Sequence, residues 1–199
     1  MKPTIIAFIV ALLPPALAHA GTANFNAEKP AASHGFPTND VFDEDLSCKD
    51  INQAAMKTWD SPQVAVITYN AKTDGTLKAH SELRVVGPRE FEKFTFSKKW
   101  RTYWRGSVAI VGQRGPFWNS CKFIGAENEG QRAQLHYSAV WRSFPYEAAA
   151  DIWISAVDGR FQKIQSRFPD KLWKFPFATA LDVFSYDPAQ IEVPLVDGK

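Results

Sequence analysis

The chain has 199 residues, 45% of them hydrophobic, and a formal net charge of +2, enough apolar material for one domain with its own core. Its 23 basic and 21 acidic residues are dispersed and matched, which argues against a nucleic-acid-binding surface. Seven Trp and 14% aromatic residues predict a bulky interior, one that either fills a small core or lines a hollow one.

Residues 1–20 carry Lys2, an apolar core over 5–13 and a small end at Ala18, His19 and Ala20, and predict a secretory signal cleaved after Ala20. The run is too short to span a bilayer, so the mature form is expected to lack a stable membrane span and to reside in a bacterial periplasm or be secreted. Residues 21–45 offer only Phe25, Phe36, Val41 and Phe42 for burial and read as an irregular arm.

One helix follows. Ser47 is the expected cap, with Asp50 as third residue and Leu46 and Ile51 as a hydrophobic staple. Ile51, Ala55 and Trp59 make one face, with Met56 beside it, and Pro62 ends the element. Cys48 and Cys121 are the two cysteines; in a secreted chain such a distant pair is most simply a structural disulfide, worth roughly 4 kcal/mol by loop closure. It would staple the helix start to whichever strand carries Cys121. Zinc would need further ligands, and His34, His80 and His136 show no ligand spacing.

Residues 63–69 and 76–86 flank AKTDG, a hairpin signal. On the second strand Leu77, Ala79, Ser81, Leu83 and Val85 share one face, and Lys78, His80, Glu82 and Arg84 share the other, assigned to solvent. Gly87 and Pro88 turn the chain into 90–97, where Phe91, Phe94 and Phe96 alternate only if a bulge lies near Lys93. Lys98, Lys99 and Arg101 form a compact basic group among Phe96, Trp100, Tyr103 and Trp104, read as a solvated face alternating with a core face. Residues 117–124 predict a short strand carrying Cys121, and GAENEG at 125–130 an exposed loop.

Residues 131–168 predict three consecutive antiparallel strands. Ala133, Leu135, Tyr137, Ala139 and Trp141 share a face, and after a turn at 143–145 the alternation resumes with Tyr146, Ala148, Ala150, Ile152 and Ile154. Asp158 and Gly159 then turn the chain into 161–168. Residues 172–177 are aromatic, with Pro176 favouring an edge or loop; 178–186 can be the last strand. The expected fold is therefore mainly β with one N-terminal helix (α+β), a strongly curved antiparallel sheet or half-barrel packed on the helix. The β-rich domain is expected over 46–194, with a tail at 195–199.

This order of helix and meander resembles the periplasmic lipoprotein-carrier-like group. The resemblance rests on the helix-to-strand passage 48–69 with its TDG hairpin and VVGPREFEKF turn, on YEAAADIWISAVDGRFQKIQSRF, and on the closing VFSYDPAQIEVP. It covers roughly residues 46–194 and implies a curved half-barrel whose apolar concave face is covered by helices, with an apolar cavity between them. The cysteine pair, the added arm and the absence of a lipid-anchor cysteine depart from the group's pattern.

No phosphate loop, nucleotide fingerprint, GxSxG elbow or HExxH motif is present. No catalytic residue, metal or cofactor is assigned; Glu147 and Asp151 share a strand face but read more simply as solvent-facing. A ligand pocket needs apolar walls and a few orienting polar groups, and the candidates for its walls are Trp59, Leu83, Phe94, Trp104, Leu135, Tyr137, Trp141, Ile152 and Phe168. The expected function is noncatalytic binding of an apolar or amphipathic small molecule, for lipid-like transport or sensing. The alternative is an envelope interaction or inhibitor module, its partner another envelope protein, presenting Phe117, Trp118, Trp173 and Phe175. An enzyme with an unfamiliar site is the third reading.

Overall fold

A short turn prepares the helix. In the computed structural model, which describes residues 43–97, 99–112, 114–143, 146–169 and 178–196, Leu46–Cys48 form one 3₁₀ turn capped by Asp45. Its carboxylate accepts from the Ser47 N–H at 2.9 Å and from the Ser47 hydroxyl at 2.7 Å. Helix α1 then spans Lys49–Asp60. The cap therefore differs from the expected one: Cys48 occupies the N-cap without a side-chain bond, because the Ser47 oxygen instead accepts the Cys121 N–H at 3.0 Å. No staple forms, since Leu46 is exposed while Ile51 is buried. The expected signal, the arm up to residue 42, and the aromatic stretch 172–177 lie outside the described residues.

Cys48 and Cys121 are joined as a disulfide across 73 residues. Asp45 adds to the staple by accepting the Ser120 N–H at 2.8 Å, from a residue whose φ is +53°. The Ser47 hydroxyl first, and then the Ser120 and Ser47 N–H groups, hold the Asp45 carboxyl below its usual range.

The strands are β1 Gln63–Ala71, β2 Leu77–Val86, β3 Arg89–Phe94, β4 Arg101–Trp104, β5 Val111–Gly112, β6 Gly115–Pro116, β7 Trp118–Glu129, β8 Arg132–Ser143, β9 Tyr146–Ser155, β10 Phe161–Arg167 and β11 Thr179–Ser185. Nine of them form one sheet in the order β4-β3-β2-β1-β11-β10-β9-β8-β7, with every neighbour antiparallel; β5 and β6 form a separate hairpin. The first and last strands pair in the middle, so mid-chain strands β4 and β7 become the edges. The expected strongly curved sheet or half-barrel is thereby corrected: the sheet is open and uncurled, and its edges do not meet. Alternation predicts a covered face, but closure requires edge pairing that alternation does not encode.

Three further expectations change. Residues 125–129 belong to β7, and the turn falls at Gly130, where φ is +64°; an edge strand can be polar on both faces and so look like a loop. The bulge expected near Lys93 is absent, since β2 and β3 pair in unbroken register and Phe91 and Phe94 are buried on opposite faces. The irregularity lies instead at His80 in β2, where the register slips between Thr68 and Tyr69. That slip buries His80 and leaves Leu77 and Ala79 exposed, reversing their expected sides.

Helix α1 lies on the face formed by β7, β9 and β10, burying Ile51, Ala54, Ala55 and Trp59. The connection from β4 to β7 passes on this same side. The Trp59 indole N–H donates to the Gly106 carbonyl at 2.7 Å, and Val108 and Ala109 pack against the core.

Candidate functional site

One rung of paired residues crosses the covered face from β3 to β7: Phe94, Ser81, Thr68, Asp182, Ile164, Ile152, Tyr137 and Phe123. Its two halves differ in chemistry. On β8–β10 it is apolar apart from the Tyr137 hydroxyl, and α1 covers it. On β1, β2 and β11 it is polar, and the next rung adds Asn70 and Ser166 on either side of Ala180.

The apolar half is laced to the helix at two points. Tyr137 donates to the Asp50 carboxylate at 3.0 Å, and burial, with Asp50 adding to it, pushes the phenol up to about 12. At the other end the Thr58 hydroxyl accepts the buried Phe161 N–H at 2.9 Å and lies 3.1 Å from the Tyr186 hydroxyl, which donates to the Phe161 carbonyl at 2.7 Å. Burial raises the Tyr186 phenol as well.

In the polar half, Thr68, Asn70, Ser81, Ser166 and Asp182 are all buried. Thr68 donates to Asp182 at 2.7 Å. Burial pushes the Asp182 carboxyl up to about 7, with Thr68 opposing the shift. The Asn70 Oδ1 and the Ser81 Oγ are buried with no hydrogen-bond partner. Burial also pushes the neighbouring His80 down and, on the same face of β3, raises Glu90 and Glu92. These polar residues share strand parity with core residues Val64, Val66, Ala180 and Phe184, so extending the alternation through β1 and β11 would have found them.

Of the predicted wall residues, Trp59, Leu83, Tyr137, Trp141, Ile152 and Phe168 come together in one buried cluster, with half-buried Leu135 packed against it. Phe94 is buried further along the rung, edge-on to His80. Trp104 stands apart: it is exposed on the opposite face, with the Arg89 guanidinium 3.7 Å above its ring. Phe117 and Trp118, expected to be exposed under the alternative reading, are buried, whereas Trp173 and Phe175 lie outside the described residues.

A depression of about 280 Å³ lies on the opposite face, between Trp153, Lys163, Glu129 and Val183. It is a poor apolar site. Both faces of Trp153 are already covered, by His136 stacked at 4.5 Å and by the Lys163 ammonium at 4.3 Å, and its rim is charged. The covered face, where orienting polar groups adjoin apolar walls, is the better candidate. Glu147 is paired with Arg142, and Asp151 with His136 and Arg167. Among the described residues no group of three or more His, Cys, Asp or Glu side chains could hold a metal ion, and no helix is long and apolar enough to cross a membrane.

No protein-family model and no curated protein matches the chain. Among solved structures it bears a weak likeness to the Mycobacterium tuberculosis lipoprotein LppX, with a TM-score of 0.43, 14% identity, and coverage of 73% of this chain and 98% of that one. A second weak likeness is to MucB, solved in complex with MucA(peri), with a TM-score of 0.37, 11% identity, and coverage of 75% of this chain. The chain spans 60% of the length of that structure.

Proposed function

We propose that this is a noncatalytic binding protein of the cell envelope that takes up an amphipathic small molecule on the helix side of its sheet. The observation that carries the reading is the pair of buried, unpartnered oxygens on Asn70 and Ser81, set beside the Thr68–Asp182 bond and continuous with an apolar face. Folded proteins seldom leave such groups unsatisfied, because each costs about 1–3 kcal/mol. A ligand bearing hydrogen-bond donors on its polar end would satisfy both while its apolar part lies toward Ile164 and Ile152. Burial of that part is favourable at about 25 cal/mol per Å² before ordering costs. The disulfide and the expected leader support envelope residence.

The test is native mass spectrometry of the oxidised protein with solvent extraction of copurified molecules, alongside uptake of an apolar fluorescent probe. Retention of an amphipath by the wild type and its loss in Asn70→Leu/Ser81→Ala is the expected result. A wild type that retains nothing and takes up no probe overturns the proposal.

A further inference from the structure

The basic and aromatic run that follows β3 was expected to alternate between a core face and a solvated face, and it does not. All four residues of β4 are exposed. Phe96 is 66% exposed, Trp104 63% and Tyr103 43%, so three large aromatics wrap one edge of the sheet without entering the core. Isolated exposed aromatics are ordinary, but a run of them on one edge marks a contact surface.

Basic side chains outnumber acids around them: Arg84, Arg89, Lys93, Lys99 and Arg101 against Glu82, Glu90 and Glu92. Arg89 stacks on Trp104 at 3.7 Å, and Arg84 and Lys93 stand 5.0 and 4.6 Å from the Trp100 ring. Lys99 and Arg101 are exposed beside them. Glu82 is bonded to Arg84 and lies 3.4 Å from Lys93, and Glu90 and Glu92 pair across the β3–β4 ladder with Tyr103 and Arg101, so part of the positive charge is balanced. The excess positive charge, with Arg89 stacked on Trp104 and Lys99 exposed nearby, adjoins amphipathic rings, the chemistry of side chains that settle at the headgroup level of a bilayer.

We infer that the β4 edge, through Phe96, Tyr103, Trp104, Lys99 and Arg101, docks the protein on an anionic lipid surface. The contact is interfacial. An unpaired strand edge keeps its N–H and C=O groups hydrated among headgroups and would be costly to sink deeper. A peptide strand added to this edge fits less well, because four residues are a short template and the charged side chains guard it. The inference does not depend on whether the covered face carries a ligand.

The test is cosedimentation of the oxidised protein with vesicles of phosphatidylcholine alone or with 30% phosphatidylglycerol. Binding is expected only to the anionic vesicles and should weaken with salt. Lys99→Glu and Arg101→Glu should each weaken it by about fivefold or more, following the contribution of one basic residue near such a surface. Phe96→Ser/Trp104→Ser should weaken it by about tenfold or more through lost apolar contact. Val157→Ser, which removes an exposed apolar side chain elsewhere, should leave binding unchanged. Equal affinity for neutral vesicles, or retention of binding by both the charge and the aromatic variants, overturns the proposal. Self-association through this edge with no vesicle binding would assign it to a second copy of the chain and likewise overturn it.

Discussion

Replacing Asp182 with Asn should make the protein more stable above neutral pH and change it little in acid. The carboxyl is buried in the middle of the sheet, with the Thr68 hydroxyl donating to it at 2.7 Å. Burial raises it from 3.8 to about 7, so the folded chain holds this proton over a range in which the unfolded chain releases it. The folded state then binds more protons than the unfolded one, and stability must fall as pH rises through that interval. The contribution is complete below about pH 4, declines up to about pH 7 and is flat beyond. Its full extent is about 4 kcal/mol, a large share of the roughly 5–15 kcal/mol that holds a domain of this size together. Asn keeps an acceptor for Thr68 and carries no charge, so Asp182→Asn should escape the decline. The assay is urea unfolding of both proteins at about pH 4.5 and pH 8.5, compared as a difference so that groups titrating alike in both cancel. Parallel pH dependence in the two proteins would refute the buried-charge reasoning.

Two other perturbations probe the helix attachment. Reducing the Cys48–Cys121 bond, or replacing both residues with Ser, should cost about 4 kcal/mol in thermal or urea unfolding, from the 73-residue separation it closes. A loss below about 1 kcal/mol would show that the Asp45 and Ser47 bonds to residues 120 and 121 hold the junction without it. Thr58→Val should lose about 1–3 kcal/mol, because the buried Phe161 N–H is left without its acceptor, and amide exchange at Phe161 should accelerate with it. Unchanged exchange would mean that another acceptor replaces the hydroxyl.

Turns and helix position were readable because their causes are local. Gly75, Gly87 and Gly159 take positive φ at the turns where the dipeptide signals stood, and the spacing of Ile51, Ala55 and Trp59 located the buried helix face. The cysteine pairing was readable from the count of two and the expected leader. What escaped depended on distant partners. Asp45 outcompeted Ser47 as a cap because β7 needs the Ser47 oxygen, and one extra residue at His80 reversed the sides of β2 beyond it. The polar half of the rung was missed because Thr68, Ser81 and Asp182 become neighbours only when β1 pairs with both β2 and β11, residues far apart in the chain. That the sheet stays open escaped for the same reason.

The pairing of β1 with β11 also governs the order in which the molecule can be completed. Until residues 179–185 have arrived, strands β1–β4 and β7–β10 are two separate ribbons, and β1 and β10 each present a bare hydrogen-bonding edge. A nascent chain therefore spends its early folding with two sticky flanks that only its last strand can seal, which favours slow, late closure and exposure to chaperones on the way. A stop codon ahead of Thr179 would deliver a protein that contains eight of its nine main-sheet strands and still lacks the seam between them.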